Sequence, residues 1–351
     1  MNSTYNQTTD AAIQQLFKNL SPDGPGCAYM ASFDDGATYK EAIGLDSIEK
    51  KLPITTKTVF NIASSSKQFT AFAILLLEQE GKLSLDDSIL KYVPSLGVYA
   101  EPVTLRHLIH HTGGLVDYIE LAEKEGILYS ESLPVEKSLE HLANHPVADF
   151  PAGTKYEYSN TGYFLLSIVV EKASGKSLRE FSKERIFKPL NMNDTTIVDC
   201  YPTDTPVARG YTKNEQEAYE VFESLWEHTG DGAVHTTVED LVKWGQNFAT
   251  GTVGGKELVT RMGEVGPKTT PAGELIIDNE DYAFGLSIGE DFDCHYLEHS
   301  GLWVSYTAHF MRFLEDHLTI AVLSNYDDFD SEEYAIKMVE IILGKSAKNK
   351  D

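Results

Sequence analysis

Residues 69–77, Phe-Thr-Ala-Phe-Ala-Ile-Leu-Leu-Leu, are apolar on nearly every face of the helix they would form. A helix without a polar face has no place on a surface, so the rest of the chain must be wrapped around this segment. The helix is expected to run from 64 to 80, with Gly81 ending it. Its entrance reads Ser64-Ser65-Ser66-Lys67. On a helix, an amine three residues after a serine lies on the same face and within reach of the hydroxyl. Ser64 would also sit where free backbone N–H groups and the helix dipole favour negative charge. A serine hydroxyl becomes a useful nucleophile only when a base removes its proton. Taken alone, the same four residues also read as a capping serine followed by a solvated lysine.

Two further segments bear on that choice. Tyr156-Glu157-Tyr158-Ser159-Asn160 follows the turn-like Phe150-Pro151-Ala152-Gly153. If it is extended, Tyr158 and Asn160 point to one side, offering a phenol that carries protons and an amide that holds a neighbour. His299-Ser300-Gly301 lies within 296–313, which reads as one strand turning through Glu315-Asp316 into a second strand, 318–323. A glycine inside a strand lets another backbone approach closely.

Together and in this order, the three segments resemble the serine β-lactamase and penicillin-binding-protein superfamily, with its Ser-x-x-Lys, Ser-Asp-Asn and Lys-Thr-Gly motifs. With Tyr-x-Asn second and His-x-Gly third, the chain is most similar to the class C β-lactamase branch, which also holds DD-peptidases, D-aminopeptidases and esterases. Similar signposts are Gly81-Lys82-Leu83-Ser84-Leu85-Asp86-Asp87, His110-His111-Thr112-Gly113-Gly114, Pro189-Leu190-Asn191-Met192 and Leu323-Ser324-Asn325. The likeness covers about residues 25–345.

The resemblance implies an α/β (α+β) fold, β-lactamase/transpeptidase-like: an antiparallel sheet flanked by terminal helices, plus an all-helical domain, with the active site at their junction. Residues 1–58 and 232–351 would form the discontinuous sheet domain, and 59–231 the helical one. The residue pattern agrees, since strand signals sit at both ends and helical ones between. Ser64 would be the nucleophile, Lys67 and Tyr158 would share the role of base, and Asn160 would anchor Lys67 or a substrate amide. Ser300, Gly301 and Leu302 would bind substrate, the backbone N–H of Leu302 joining that of Ser64 in an oxyanion hole. No metal or organic cofactor is implied. The expected function is a serine hydrolase forming a covalent acyl-enzyme on amide or ester bonds, most naturally peptides containing D-amino acids, or small esters. A class C-type β-lactamase and a catalytically inactive penicillin-binding-like module stand as alternatives.

The third motif departs from the lactamase pattern. Lactamases of this superfamily usually carry lysine where this chain has His299, and an imidazole is mostly neutral above about pH 6.5. Carboxylate-bearing substrates are therefore expected to be handled better near pH 6 than pH 8. Ser305 stands where many relatives have glycine.

Composition narrows the partners. A net charge of −25, from 54 acidic against 29 basic residues, excludes nucleic acid and anionic membrane surfaces. No apolar run is long enough to span a bilayer. The expected partner is a small-molecule or peptide substrate, with oligomeric state left open. Three cysteines, Cys27, Cys200 and Cys294, read as free thiols. His107, His110 and His111 lack a carboxylate or thiol at a metal-binding spacing and read as part of a turn. Residues 1–7 show no leader. Because the resemblance is to proteins working mostly outside the cytoplasm, a periplasmic or secreted location after removal of a leader is expected, with a cytoplasmic one left open.

Overall fold

The computed structural model describes residues 5–200, 206–292 and 294–347. Its centre is a six-stranded antiparallel sheet drawn from both ends of the chain. The strands are β1 (Cys27–Phe33), β2 (Thr38–Ile43), β3 (Ser287–Gly289), β4 (Tyr296–Trp303), β5 (Tyr306–Phe313) and β6 (Leu318–Ser324), in the order β3-β4-β5-β6-β1-β2. β1 and β2 form the expected hairpin, with Cys27 opposite Ile43 and Ser32 opposite Thr38. β1 then pairs with β6, Cys27 against Ser324, which joins the N-terminal hairpin to the C-terminal meander.

β5 and β6 are buried along their whole lengths because both faces of the sheet are covered. Alternation along β6 shows how. Leu318, Ile320 and Val322 pack with Ile13 and Phe17 of α1 (Gln7–Phe17) and with Met338 of the C-terminal helix Ser331–Leu343. Ala321 and Leu323 face the helical layer. One strand thus serves two cores by pointing alternate side chains to opposite faces.

The apolar segment becomes α2 (Lys67–Gln79), buried from Lys67 to Leu77. Phe69 and Phe72 pack on Trp244 of the helix Val238–Thr250, with centroids 4.9 and 5.0 Å away. Full burial of each such side chain stabilises the fold by roughly 1.5–3 kcal/mol. Two of its buried polar side chains find partners inside: Gln68 Oε1 accepts from Trp244 Nε1 at 2.6 Å, and Thr70 Oγ1 donates to the Gly230 carbonyl at 2.8 Å.

Two expectations need correction. Residues 296–313 are not one strand: β4 and β5 are joined by a tight turn at Val304 and Ser305, with Val304 at φ 43°. Residues 63–66 are a separate 3₁₀ turn, and the α-helix begins at Lys67. The three cysteines are free thiols, as expected, with Cys27 buried and Cys200 exposed. No helix among the described residues is long and apolar enough to cross a membrane.

Candidate active site

Ser64 lies on the 3₁₀ turn Ala63–Ser66, which enters α2. Ala63 adopts φ 48°, a left-handed conformation that costs a residue with a Cβ. Its surroundings hold it there. Asn61 Oδ1 accepts from the Ala63 N–H at 2.8 Å, Ser66 Oγ accepts from the Val234 N–H at 3.0 Å, and Ser65 Oγ donates to the His299 carbonyl at 2.8 Å. The last bond ties the turn directly to β4. A Cβ on Gly301 would come within 2.3 Å of the Ile62 carbonyl oxygen, so the strand closes on the turn only because this residue is glycine.

Lys67 is fully buried, yet its Nζ meets three oxygens: Ser64 Oγ at 3.1 Å, Asn160 Oδ1 at 2.9 Å and the Asp231 carbonyl at 2.9 Å. Two of these can only accept. A neutral amine has two N–H bonds and one lone pair, so directing the N–H bonds at Asn160 and Asp231 leaves the lone pair for the Ser64 hydroxyl. Of the three partners, only Ser64 Oγ carries a proton that a neutral Lys67 amine could accept.

Asn160 is not on an extended segment. Ser159 caps α3 (Asn160–Ser174), and the Asn160 N–H is anchored on Asp117 Oδ2 at 2.8 Å. Tyr158, just before the cap, reaches Lys67 from the other side, its ring centroid 4.8 Å from Nζ. The ring rests on buried His111, 4.4 Å between centroids, while 41% of the residue is exposed. Among the described residues the Tyr158 hydroxyl makes no hydrogen bond, so Lys67 is the group on Ser64 Oγ.

His299 is buried, and both ring nitrogens are engaged. Nε2 lies 2.9 Å from the Tyr282 hydroxyl and Nδ1 contacts the Ser300 carbonyl. A carbonyl only accepts, so Nδ1 carries the proton and Nε2 accepts from Tyr282. Burial, reinforced by nearby Lys67, pushes this imidazole down to about 3. The expected cationic form near pH 6 is therefore corrected: His299 is neutral across the physiological range.

Beyond His299 the strand is open. β3 ends with Ser287 opposite Glu298, leaving Ser300–Trp303 with β5 as its only strand neighbour among the described residues. Ser300 is exposed, and Leu302 is 65% exposed. Ser64, Tyr158 and Leu302 line two adjoining cavities. One, about 270 Å³, is walled by Tyr118, Ile119, Trp226, His228 and Trp303. The other, about 390 Å³, is walled by Tyr156, Tyr282 and His299, with Glu280, Glu298 and Glu332.

Asp231, Tyr282 and His111 were not foreseen as parts of the site. The carboxylate of Asp231 takes the Tyr118 hydroxyl at 2.6 Å, and burial pushes it up to about 6. The setting Gly230-Asp231-Gly232 was the one available sign of a tight, polar turn. The histidines at 107, 110 and 111 separate: His107 caps a helix through the Thr104 N–H, His110 meets the Tyr282 carbonyl, and His111 accepts from the Ser159 N–H.

Known proteins of similar sequence and structure agree with this fold. The family model described as Beta-lactamase matches residues 10–341, and the chain belongs to that family. Penicillin-binding protein 4* of Bacillus subtilis (strain 168) is 31% identical over 94% of this chain and 75% of its own length. A D-aminopeptidase of Gluconobacter oxydans (strain 621H) is 24% identical over 93% of this chain. Only 60% of that relative's length is spanned. The structure of the octameric penicillin-binding protein homologue from Pyrococcus abyssi superposes with a TM-score of 0.81 at 28% identity, covering 97% of this chain and 77% of that one.

Proposed function

We propose that the protein is a serine hydrolase that opens amide or ester bonds through a covalent acyl-enzyme, acting on peptides containing D-amino acids or on small esters. The observation that carries this reading is the buried Lys67 amine, 3.1 Å from Ser64 Oγ with acceptor-only partners on its other sides. The D-aminopeptidase relative supports the substrate class.

In the first step Ser64 Oγ bonds to the carbonyl carbon as its proton passes to the Lys67 amine. The carbonyl oxygen takes the negative charge and rests on the backbone N–H groups of Ser64 and Leu302, worth about 3 kcal/mol each in related chemistry. When the carbonyl re-forms, the leaving nitrogen or oxygen departs with a proton delivered through Lys67 and Tyr158. Water then attacks the ester, its proton taking the same route, and Ser64 is restored. Asn160 holds Lys67 in line, while Ser300 and Gly301 bound the strand side of the substrate.

Intact-protein mass spectrometry after treatment with a fluorophosphonate should show one adduct, mapping to Ser64 and absent in Ser64→Ala. An adduct that persists in Ser64→Ala would overturn the reading.

A further inference from the structure

We propose that the substrate of the Ser64 site carries a positive charge, seated in the half of the cleft that Glu280, Glu298 and Glu332 line. The inference rests on the acyl-enzyme reading and narrows its substrate class to amides or esters bearing an ammonium group close to the scissile carbonyl.

Three carboxylates share this cavity with Ser64. Among the described residues, Glu298 and Glu332 meet no lysine or arginine; their neighbour is His309, with Nε2 3.2 Å from Glu298 and Nδ1 3.9 Å from Glu332. His309 is 1% exposed, and its Nδ1 makes no hydrogen bond. It lines the same cavity as an unsatisfied buried polar group. One imidazole cannot offset two carboxylates, and Glu280 adds a third, exposed one beside the Tyr156 hydroxyl.

The other half adds no positive charge. Its lining includes Asp231, whose Oδ1 accepts no hydrogen bond, and contains no lysine or arginine. Lys67, the nearest lysine, is wholly buried with its three hydrogen-bonding directions used. Where a lactamase would grip a carboxylate, His299 is neutral and turned to Tyr282. A cleft lined by one sign of charge concentrates ligands of the opposite sign and repels its own. A terminal carboxylate is thus disfavoured on both sides of Ser64, and an ammonium is favoured.

Two matched substrate pairs test this on the whole protein. In one, D-alanine p-nitroanilide is compared with its N-acetyl and N-succinyl forms, which remove the charge and then invert it. In the other, acetylthiocholine is compared with its uncharged isostere, the 3,3-dimethylbutyl thioester. In at least one pair, kcat/KM should favour the cation by about tenfold or more at low salt, and the preference should shrink severalfold in 0.5 M salt. The succinylated substrate should be the poorest of its series. Glu280→Gln with Glu332→Gln should narrow the cation-to-neutral ratio by about threefold or more, thermal melting confirming that the variant folds.

Ratios near one in both pairs, or a ratio untouched by the double substitution, would overturn the proposal. Fluorophosphonate labelling separates the two claims. A protein labelled at Ser64 but indifferent to charge loses only this inference, whereas one that is not labelled loses the acyl-enzyme reading beneath it.

Discussion

The helix side and the strand side of the cleft are built in contrasting ways. On the helix side, Lys67 is fully buried with three oxygen partners, and the turn carrying Ser64 is fastened through Asn61, Ser65 and Ser66. On the strand side, Leu302 is 65% exposed, and among the described residues Ser300–Trp303 has no strand partner along one edge. Tyr158 stands between, its ring against Lys67 and much of its surface in solvent. Proton transfer depends on donor and acceptor being held within a fraction of an ångström, and burial with complete hydrogen bonding supplies that. A substrate, by contrast, needs accessible backbone and room to enter. Under the proposed function, chemistry falls to the first side and recognition to the second. Disturbing the helix side should lower kcat, and disturbing the strand side should alter KM or selectivity.

The largest expected effect tests where Tyr158 belongs. Lys67→Ala should lower kcat by about 10²–10⁴. If Tyr158 works with Lys67 as one proton-transfer unit, Tyr158→Phe should cost a comparable factor and the double variant far less than the product of the two. Steady-state kinetics of the three variants on one ester decides it. Full additivity would move Tyr158 out of the proton-transfer unit and into recognition.

Acid should damage the buried interior next. Burial holds His110 and His235 down to about 4, and His228 and His299 down to about 3. In the unfolded chain each would titrate near 6.5. Their contribution to stability is therefore complete above pH 6.5 and is lost as pH falls towards 4, at roughly 1.4 kcal/mol per unit for each imidazole. Asp231 acts with the opposite sign. Its carboxyl, raised to about 6, binds a proton in the folded state first and returns some stability between pH 6 and 4. The histidines outnumber it, so Tm should fall by on the order of 10 °C between pH 7 and 5.5. Thermal melts in constant ionic strength check this, and a flat profile would mean that water reaches these imidazoles.

These two sides were not equally legible in the sequence. α2 declared itself because an apolar run has one use, and the β1–β2 hairpin because Asp34-Asp35-Gly36 punctuates two alternating segments. The turn between β4 and β5 was hidden because Val304 is a poor turn residue and Ser305 only a weak one; a β-branched residue there adopts φ 43°. The 3₁₀ turn at Ala63–Ser66 was hidden because its residues suit an α-helix equally well. Ser64, Lys67, Tyr158 and Asn160 could be named from motif spacing, and the fold brings them together. Asp231 could not, since it holds Lys67 through a backbone carbonyl that any residue carries. Nor could the state of His299, which depends on Tyr282, seventeen residues away in the chain.

That histidine supplies the smallest expected effect. His299 sits on the strand but shares the character of the helix side, buried and with both nitrogens engaged. Charging it would require Nε2 to donate, giving up the bond it accepts from Tyr282, and would place a buried positive charge beside Lys67 without added solvent. Both costs agree with a value near 3. Its role is then to hold β4 against Tyr282, leaving the Ser300–Trp303 edge in place. Glutamine can accept from the same hydroxyl, so His299→Gln should change kcat/KM by less than about tenfold, the size expected when one neutral hydrogen bond is weakened. Between pH 5.5 and 8 the kcat/KM profile for a neutral ester should keep its shape in the variant. An inflection near 6.5 that disappears in His299→Gln would show an imidazolium at work. It would also return His299 to the recognition side, as a switchable anchor for carboxylates.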